Sequence, residues 1–154
     1  KSGEEQTAVA LNDVVLSRSE FGRIIEFSIY IDDEYADTYT ADGIVISTPT
    51  GSTAYSLSAG GPIAYPTMEM MLITPVCAHN LNSRPLVVSA DKEITVKLGN
   101  KYEYRASVTV DGKIVHTLGK DDSFKVKRAG FKTKLIKTDD NGFYDLLRLK
   151  LKGN

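Results

Sequence analysis

ADGIVISTPTGSTAYSLSAGGPIAYP, residues 41–66, places seven Ser or Thr hydroxyls and four glycines around and behind a short apolar run. GIVIS reads as a buried strand in miniature, and Pro49 ends it because proline has no N–H to donate to a sheet. The chain then turns through TGST into a short helix over residues 53–59. Thr50 and Ser52 are its capping candidates, and Gly60 and Gly61 close it. A strand, a tight glycine turn and a helix N-terminus make a corner suited to an anion or a ribose, where Thr50, Ser52 and Thr53 add donors and acceptors. No Gly-Lys-Ser/Thr follows, so this is not a Walker A loop, and the spacing of a nucleophile elbow is absent. The residues alone leave two readings open: a loop for an unspecified ligand, and an ordinary capped turn.

Outward from this stretch, period-2 alternation recurs. In RIIEFSIYID, Ile25, Phe27, Ile29 and Ile31 share one face, and EITVKL, RASVTVDG and SFKVKR repeat the pattern. The segments are short and separated by Asn, Asp, Gly or Pro, the spacing of a sandwich or barrel. Asp111 and Gly112 supply the two positive-φ positions of a type I′ hairpin. The expected fold is therefore mainly β, a β-sandwich of short strands with one short helix after the TPTGSTAY loop. FYDLLRLKL near the C-terminus fits a helix and a strand equally. KVKRAGFKTKLIK alternates its basic residues with Val126, Phe131, Leu135 and Ile136, as on a strand with one wet face.

At 154 residues and 42% hydrophobic, residues 1–154 form one domain with its own core. With 19 basic and 20 acidic residues the net charge is −1, so no electrostatic grip on nucleic acid is expected. The apolar runs fall short of the roughly 20 residues of a spanning helix, and no membrane partner is expected. One cysteine, Cys77, excludes an internal disulfide framework, and no leader pattern is seen; the expected compartment is the cytoplasm. Cys77 with His79 and His116 is too sparse a set for zinc, so no metal site is expected. KSGEEQTAVALND opens without Met, and it reads as the continuation of a longer polypeptide.

TPTGSTAYSLSAGGPI, the preceding Asp42 and Gly43, the upstream Asn12 and Asp13, and the downstream ITPVCAHNLNSRPLV together resemble the C-terminal domain of the NAD kinases. The resemblance runs in order over most of the chain, is most specific through residues 41–88 and weakens after about residue 101. It implies an all-β domain that holds NAD, while a separate N-terminal α/β domain carries a Gly-Gly-Asp-Gly-Thr motif with the catalytic Asp. That motif is absent from this sequence, so no catalytic residue is expected in this chain and the chain alone is expected to be inactive. In the family the ribose 2′-hydroxyl of NAD attacks the γ-phosphoryl of ATP, with a divalent cation such as Mg screening the phosphates, to give NADP.

The resemblance also implies a cofactor-binding set. Asn12 and Asp13 match an Asn-Glu pair beside the adenosine ribose, with Asp13 one methylene shorter; a turn or bulge is the alternative reading of the same residues. Asp42 matches a carboxylate facing the nicotinamide-side ribose. Thr50, Thr53, Ala54, Tyr55, Ser56, Leu57 and Ser58 match the loop and helix start that line the adenine and phosphate region. Tyr55 offers a flat apolar face and one polar tip, although alone it would read as a core residue. Arg23 and Thr40 fall where the family has further contacts, and Thr40 lacks the guanidinium often found there. Lys113 follows the Asp-Gly turn where Gln is common, and an exposed hairpin lysine reads equally well. A homotetramer or homodimer is implied, with the nicotinamide end of the site completed by a neighbouring subunit. Two rival readings are the C-terminal domain of a related lipid kinase and a non-catalytic β-sandwich that mediates oligomerisation.

Overall fold

The alternating segments become ten strands among the described residues of the computed structural model, which are 6–19, 23–80, 82–99, 105–136, 138 and 140–152. In chain order these are β1 (Asp13–Arg18), β2 (Ile25–Ile31), β3 (Glu34–Ala41), β4 (Gly43–Ser47), β5 (Met70–Val76), β6 (Leu86–Ser89), β7 (Ile94–Leu98), β8 (Ala106–Val110), β9 (Lys113–Leu118) and β10 (Ser123–Val126). A 3₁₀ turn (Thr50–Thr53) and the short helix α1 (Tyr55–Ser58) follow β4, and α2 (Phe143–Lys152) comes last. One sheet has the order β6-β5-β4-β1-β8-β9 and the other β10-β7-β2-β3. Each of the strand pairings is antiparallel.

Alternation decides which face of each strand is buried. Leu16, Ile44, Ile46, Met71, Ile73, Ala106 and Val108 from the first sheet meet Ile25, Phe27, Ile29, Tyr39, Ala41, Ile94, Val96 and Leu98 from the second in one apolar layer. Phe27 and Tyr39 are opposed across β2 and β3 and stack with centroids 5.8 Å apart. Each fully buried large side chain in this layer contributes about 1.5–3 kcal/mol. That exceeds the 0–1 kcal/mol or so of a surface ion pair, so the layer rather than the charges holds the sheets together. The chain passes from one sheet to the other at Asp42, between β3 and β4.

The first sheet has a second apolar stripe on its outer face. Val45 and Leu72 are fully buried although neither belongs to the core layer. Residues 50–64 cover them. Ser56 Oγ lies 3.0 Å from Thr74 Oγ1 on β5, and the Ser52 hydroxyl donates to the Pro49 carbonyl (2.6 Å) and accepts from the Ala64 N–H (3.0 Å). The Ser52 hydroxyl thus closes the loop, and the capping expected of Thr50 and Ser52 does not occur. The residues preceding the two short helical turns are Pro49 and Ala54, and neither turn has a side-chain cap. The helix expected over residues 53–59 is also broken at Ala54 (φ −101°, ψ −128°). Its stop is as expected, with Gly60 at φ +87° donating to the Leu57 carbonyl.

The hairpin read from Asp111 and Gly112 is present, with φ of 46° and 79° and strands β8 and β9 paired across it. FYDLLRLKL is a helix. The Asp145 carboxylate accepts from the Gly142 N–H (3.0 Å), and Phe143 and Tyr144 pack their rings on Tyr65. The strand expected through KVKRAGFKTKLIK stops at Val126. Val126 pairs with Ile94, the first residue of β7, so the ladder has no partner strand beyond it. Phe131, Leu135 and Ile136 are accordingly exposed, and this segment is tied down by Arg128 and Lys132, both on Glu69 at 3.3 Å.

Candidate functional site

Beside the segment that covers β4 and β5, the outer face of β1 and β8 stays open. A cavity of about 390 Å³ lies there, lined by Asn12, Asp13, Val15, Ser17, Ala54, Tyr55, Thr109, Asp111 and Gly112. Its floor follows from strand parity. Leu16 and Val108 point into the core, so Asp13, Val15, Ser17 and Thr109 point outward. One wall is the α1 start, with Tyr55 45% exposed. The other is the tip of the β8–β9 hairpin.

Three parts of the chain, far apart in sequence, are locked together around this cavity. The Asp111 carboxylate accepts from the backbone N–H groups of Leu11 (2.7 Å), Asn12 (2.8 Å) and Asp13 (3.1 Å). Asp111 returns its own N–H to the Asp13 carbonyl at 3.1 Å. On the other side, Thr48 donates its hydroxyl to the Leu11 carbonyl (2.7 Å) and its N–H to the Asn12 carbonyl (2.9 Å), and its Oγ1 accepts from the Gly51 N–H (3.1 Å). Asn12 and Asp13 are therefore held between the hairpin and the TGST turn. The turn or bulge considered for them is a bend running into β1.

Charge at the site is uneven. Burial, with the nearby Asp111 charge second, raises the Asp13 carboxyl above the ordinary carboxylate value. Burial also pushes Asp111 up, but the backbone hydrogen bonds from Leu11, Asn12 and Asp13 outweigh it and hold Asp111 below that value. Asp111 is thus a fixed anion that organises the backbone. Asp13 is the carboxylate turned to the cavity, short of partners and able to accept from a hydroxyl of a guest.

The structure sorts the residues named from the sequence into two places. Asn12, Asp13, Ala54 and Tyr55 meet at the cavity. Thr50, Thr53, Leu57 and Ser58 ride on the same covering segment, and Ser56 is fully buried against Thr74. Lys113 is exposed, directly after Gly112 at the hairpin tip. Arg23, Thr40 and Asp42 lie elsewhere, around the passage between the sheets. Asp42 Oδ1 is 2.9 Å from Arg18 Nε, and Thr40 accepts at its carbonyl from the His79 N–H (2.9 Å). Arg23 is exposed, two residues before Ile25, which pairs with Ala41. Among the described residues no three His, Cys, Asp or Glu side chains converge to hold a metal ion. No helix there is long and apolar enough to cross a membrane.

A family model, the ATP-NAD kinase C-terminal domain, matches residues 11–138, which spans both the cavity and the passage between the sheets. The chain belongs to this family. The NAD kinase of Caldanaerobacter subterraneus subsp. tengcongensis is 46% identical over 142 residues, covering 92% of this chain and 50% of that protein. The NAD kinase of Moorella thermoacetica is 47% identical over 146 residues, covering 95% and 47%. This NAD kinase domain therefore spans about half the length of the curated relatives it matches. Among solved structures, yeast NADH kinase complexed with NADH superposes with a TM-score of 0.73 at 36% identity, covering 82% of this chain and 37% of that one. An NAD kinase from Archaeoglobus fulgidus in complex with ATP gives 0.70 at 28% identity, covering 79% and 46%.

Five lining residues of the NAD kinase domain, Val15, Ser17, Thr109, Asp111 and Gly112, were not among the site residues named from the sequence. The parity of β1 carries a signal for Val15 and Ser17, since both share the face of Asp13. Asp111 was legible only as a turn residue, because its second task, binding a segment about 100 residues away, leaves no local pattern.

Proposed function

We propose that this chain is the dinucleotide-holding half of an NAD kinase and that NAD occupies the cavity between Asn12, Asp13 and Tyr55. One observation carries the reading. Two segments 42 residues apart, Asn12–Asp13 and Ala54–Tyr55, line a single cavity. Asp13 offers an acceptor for a ribose hydroxyl, and the half-exposed Tyr55 ring offers a flat face for an aromatic base. The names of the relatives and the NADH complex of the yeast homologue point to the same ligand class.

In the whole enzyme the 2′-hydroxyl of the adenosine ribose attacks the γ-phosphoryl of ATP. The hydroxyl proton leaves to a carboxylate of the N-terminal domain, and ADP departs. A divalent cation arriving with ATP screens the phosphates. This chain contributes binding and orientation of the acceptor and is inactive without its partner domain, in the cytoplasm.

Asp42 supports the second part of the proposal, a homodimer or homotetramer. Ser17 pairs with Gly43 and Asp13 with Ser47, so Asp42 and Asp13 stand at opposite ends of the β1–β4 ladder. The ladder separates them by roughly 16 Å or more at about 3.3 Å per residue. By parity Asp42 is also on the face opposite the cavity, with Ile44 and Ile46. A ribose contact by Asp42 therefore belongs to the dinucleotide of a neighbouring copy.

Thermal unfolding with and without NAD and NADP tests the binding claim. A ligand at 100 times its dissociation constant stabilises by about 2.7 kcal/mol. No shift with either dinucleotide would instead favour the reading of a scaffold that mediates oligomerisation.

A further inference from the structure

Ser47 ends β4 on the outer face of the sheet, and the register places it directly opposite Asp13. It is 2% exposed, and its Oγ has no hydrogen-bond partner among the described residues. Asp13 is 6% exposed, and its carboxyl is raised by burial and by the Asp111 charge, with no hydrogen bond drawing it down. A buried hydroxyl without a partner normally costs about 1–3 kcal/mol. Here it stands next to a carboxylate whose shift reflects no hydrogen bond from the described residues. Side chains opposed across an antiparallel pair have Cβ atoms about 4.5–5.5 Å apart, and a serine hydroxyl moves among three staggered positions. The structure holds the two groups without a direct hydrogen bond, so rotation of the serine or a single bridging water would join them.

We propose that Ser47 is a positioning residue for Asp13: its hydroxyl donates to one Asp13 carboxylate oxygen, directly or through one water, and leaves the other oxygen facing the cavity. The short aspartate side chain suits this role, because its carboxylate stays close to the strand and to its cross-strand neighbour. The remaining ionisable groups around Asp13 are Asp111 on the hairpin and Tyr55 across the cavity, with Lys113 exposed beyond Gly112. None of these supplies the donor that Ser47 does. That the free oxygen then takes a ribose hydroxyl rests on the dinucleotide reading above.

The experiment is a carbon-13 NMR pH titration of the Asp13 carboxyl in the wild-type chain, Ser47→Ala and Ser47→Thr, with NAD affinity measured alongside. Loss of the donor in Ser47→Ala raises the Asp13 midpoint by about 0.5 unit or more. Ser47→Thr keeps the hydroxyl and restores the wild-type value. NAD binding weakens about tenfold in Ser47→Ala. An unmoved midpoint in Ser47→Ala overturns the proposal, as does an equal rise in Ser47→Thr, which would trace the shift to packing. Wild-type chain that fails to bind NAD while the Ser47→Ala midpoint still rises overturns the dinucleotide reading and leaves the Ser47–Asp13 pairing standing.

Discussion

Gly51 approaches Asn12 so closely that a β-carbon on it would stand 2.0 Å from the Asn12 carbonyl oxygen and 2.5 Å from its carbonyl carbon. Both atoms are backbone, so neither can swing aside. Gly51→Ala must push the TGST turn away from the start of β1, at a cost of about 1–3 kcal/mol by analogy with overpacked cores. The expected result is a fall in Tm of roughly 2–12 °C, at about 2–4 °C per kcal/mol for a chain of this size, together with weaker NAD binding. A variant with wild-type Tm and affinity would show that this contact does not set the cavity.

Asp111 predicts an acid-sensitive joint. Its folded-state value lies below the ordinary 3.8, so its contribution is complete above that pH and is lost as pH falls through the depressed value. Asp111→Asn should therefore unfold at lower urea than wild type at pH 6, by about 1 kcal/mol, since solvent screens this exposed carboxylate. Once pH has fallen below that depressed value the two proteins should converge. Parallel curves at all pH values would assign Asp111 to the turn alone.

Asp13 has the opposite sign. Its folded-state value is raised above 3.8, so the folded chain holds this proton more tightly than the unfolded one. The penalty for ionising Asp13 is absent below about pH 3.8 and grows as pH rises through the folded value. Asp13→Asn should be more stable than wild type at pH 7, equal to it at pH 3, and defective in NAD binding. A destabilised Asp13→Asn at pH 7 would mean that the carboxylate has a structural partner beyond the Ser47 hydroxyl, which the Asn amide oxygen can still accept.

Asp42 and Arg18 form a partly exposed pair, with side chains 32% and 28% accessible, so Asp42→Asn should cost less than about 1 kcal/mol. If the sites are shared between copies, Asp13→Asn and Asp42→Asn each weaken NAD binding, and a mixture of the two recovers part of it. One site of the mixed dimer then has both carboxylates intact. No recovery on mixing would place Asp42 outside the site.

Much of this was legible in the sequence, for reasons that differ by residue. The strands announce themselves because Ile25, Phe27 and Ile29 alternate with polar residues and a sheet has one buried face. Asp111 and Gly112 are legible as a hairpin because few residues accept positive φ. Helix α2 was ambiguous because Phe143, Leu147 and Leu151 suit one period while YDLLRLKL suits another; the Asp145 bond to Gly142 and the Tyr65 ring contacts decide it. The end of β10 was illegible because it depends on how far β7 extends, which no residue of KVKRAGFKTKLIK encodes. The placement of Ser56 against Thr74 and of Ser47 opposite Asp13 follows from tertiary register alone.

In the proposed function one cavity, between the β1 start and α1, receives the dinucleotide. Titrating NAD into isotopically labelled chain and following backbone amide signals tests it most directly. Saturable shifts are expected at Asn12, Asp13, Ala54, Tyr55 and Thr109, abolished by Asp13→Asn. Shifts confined to other surfaces, or none at millimolar NAD, would contradict it.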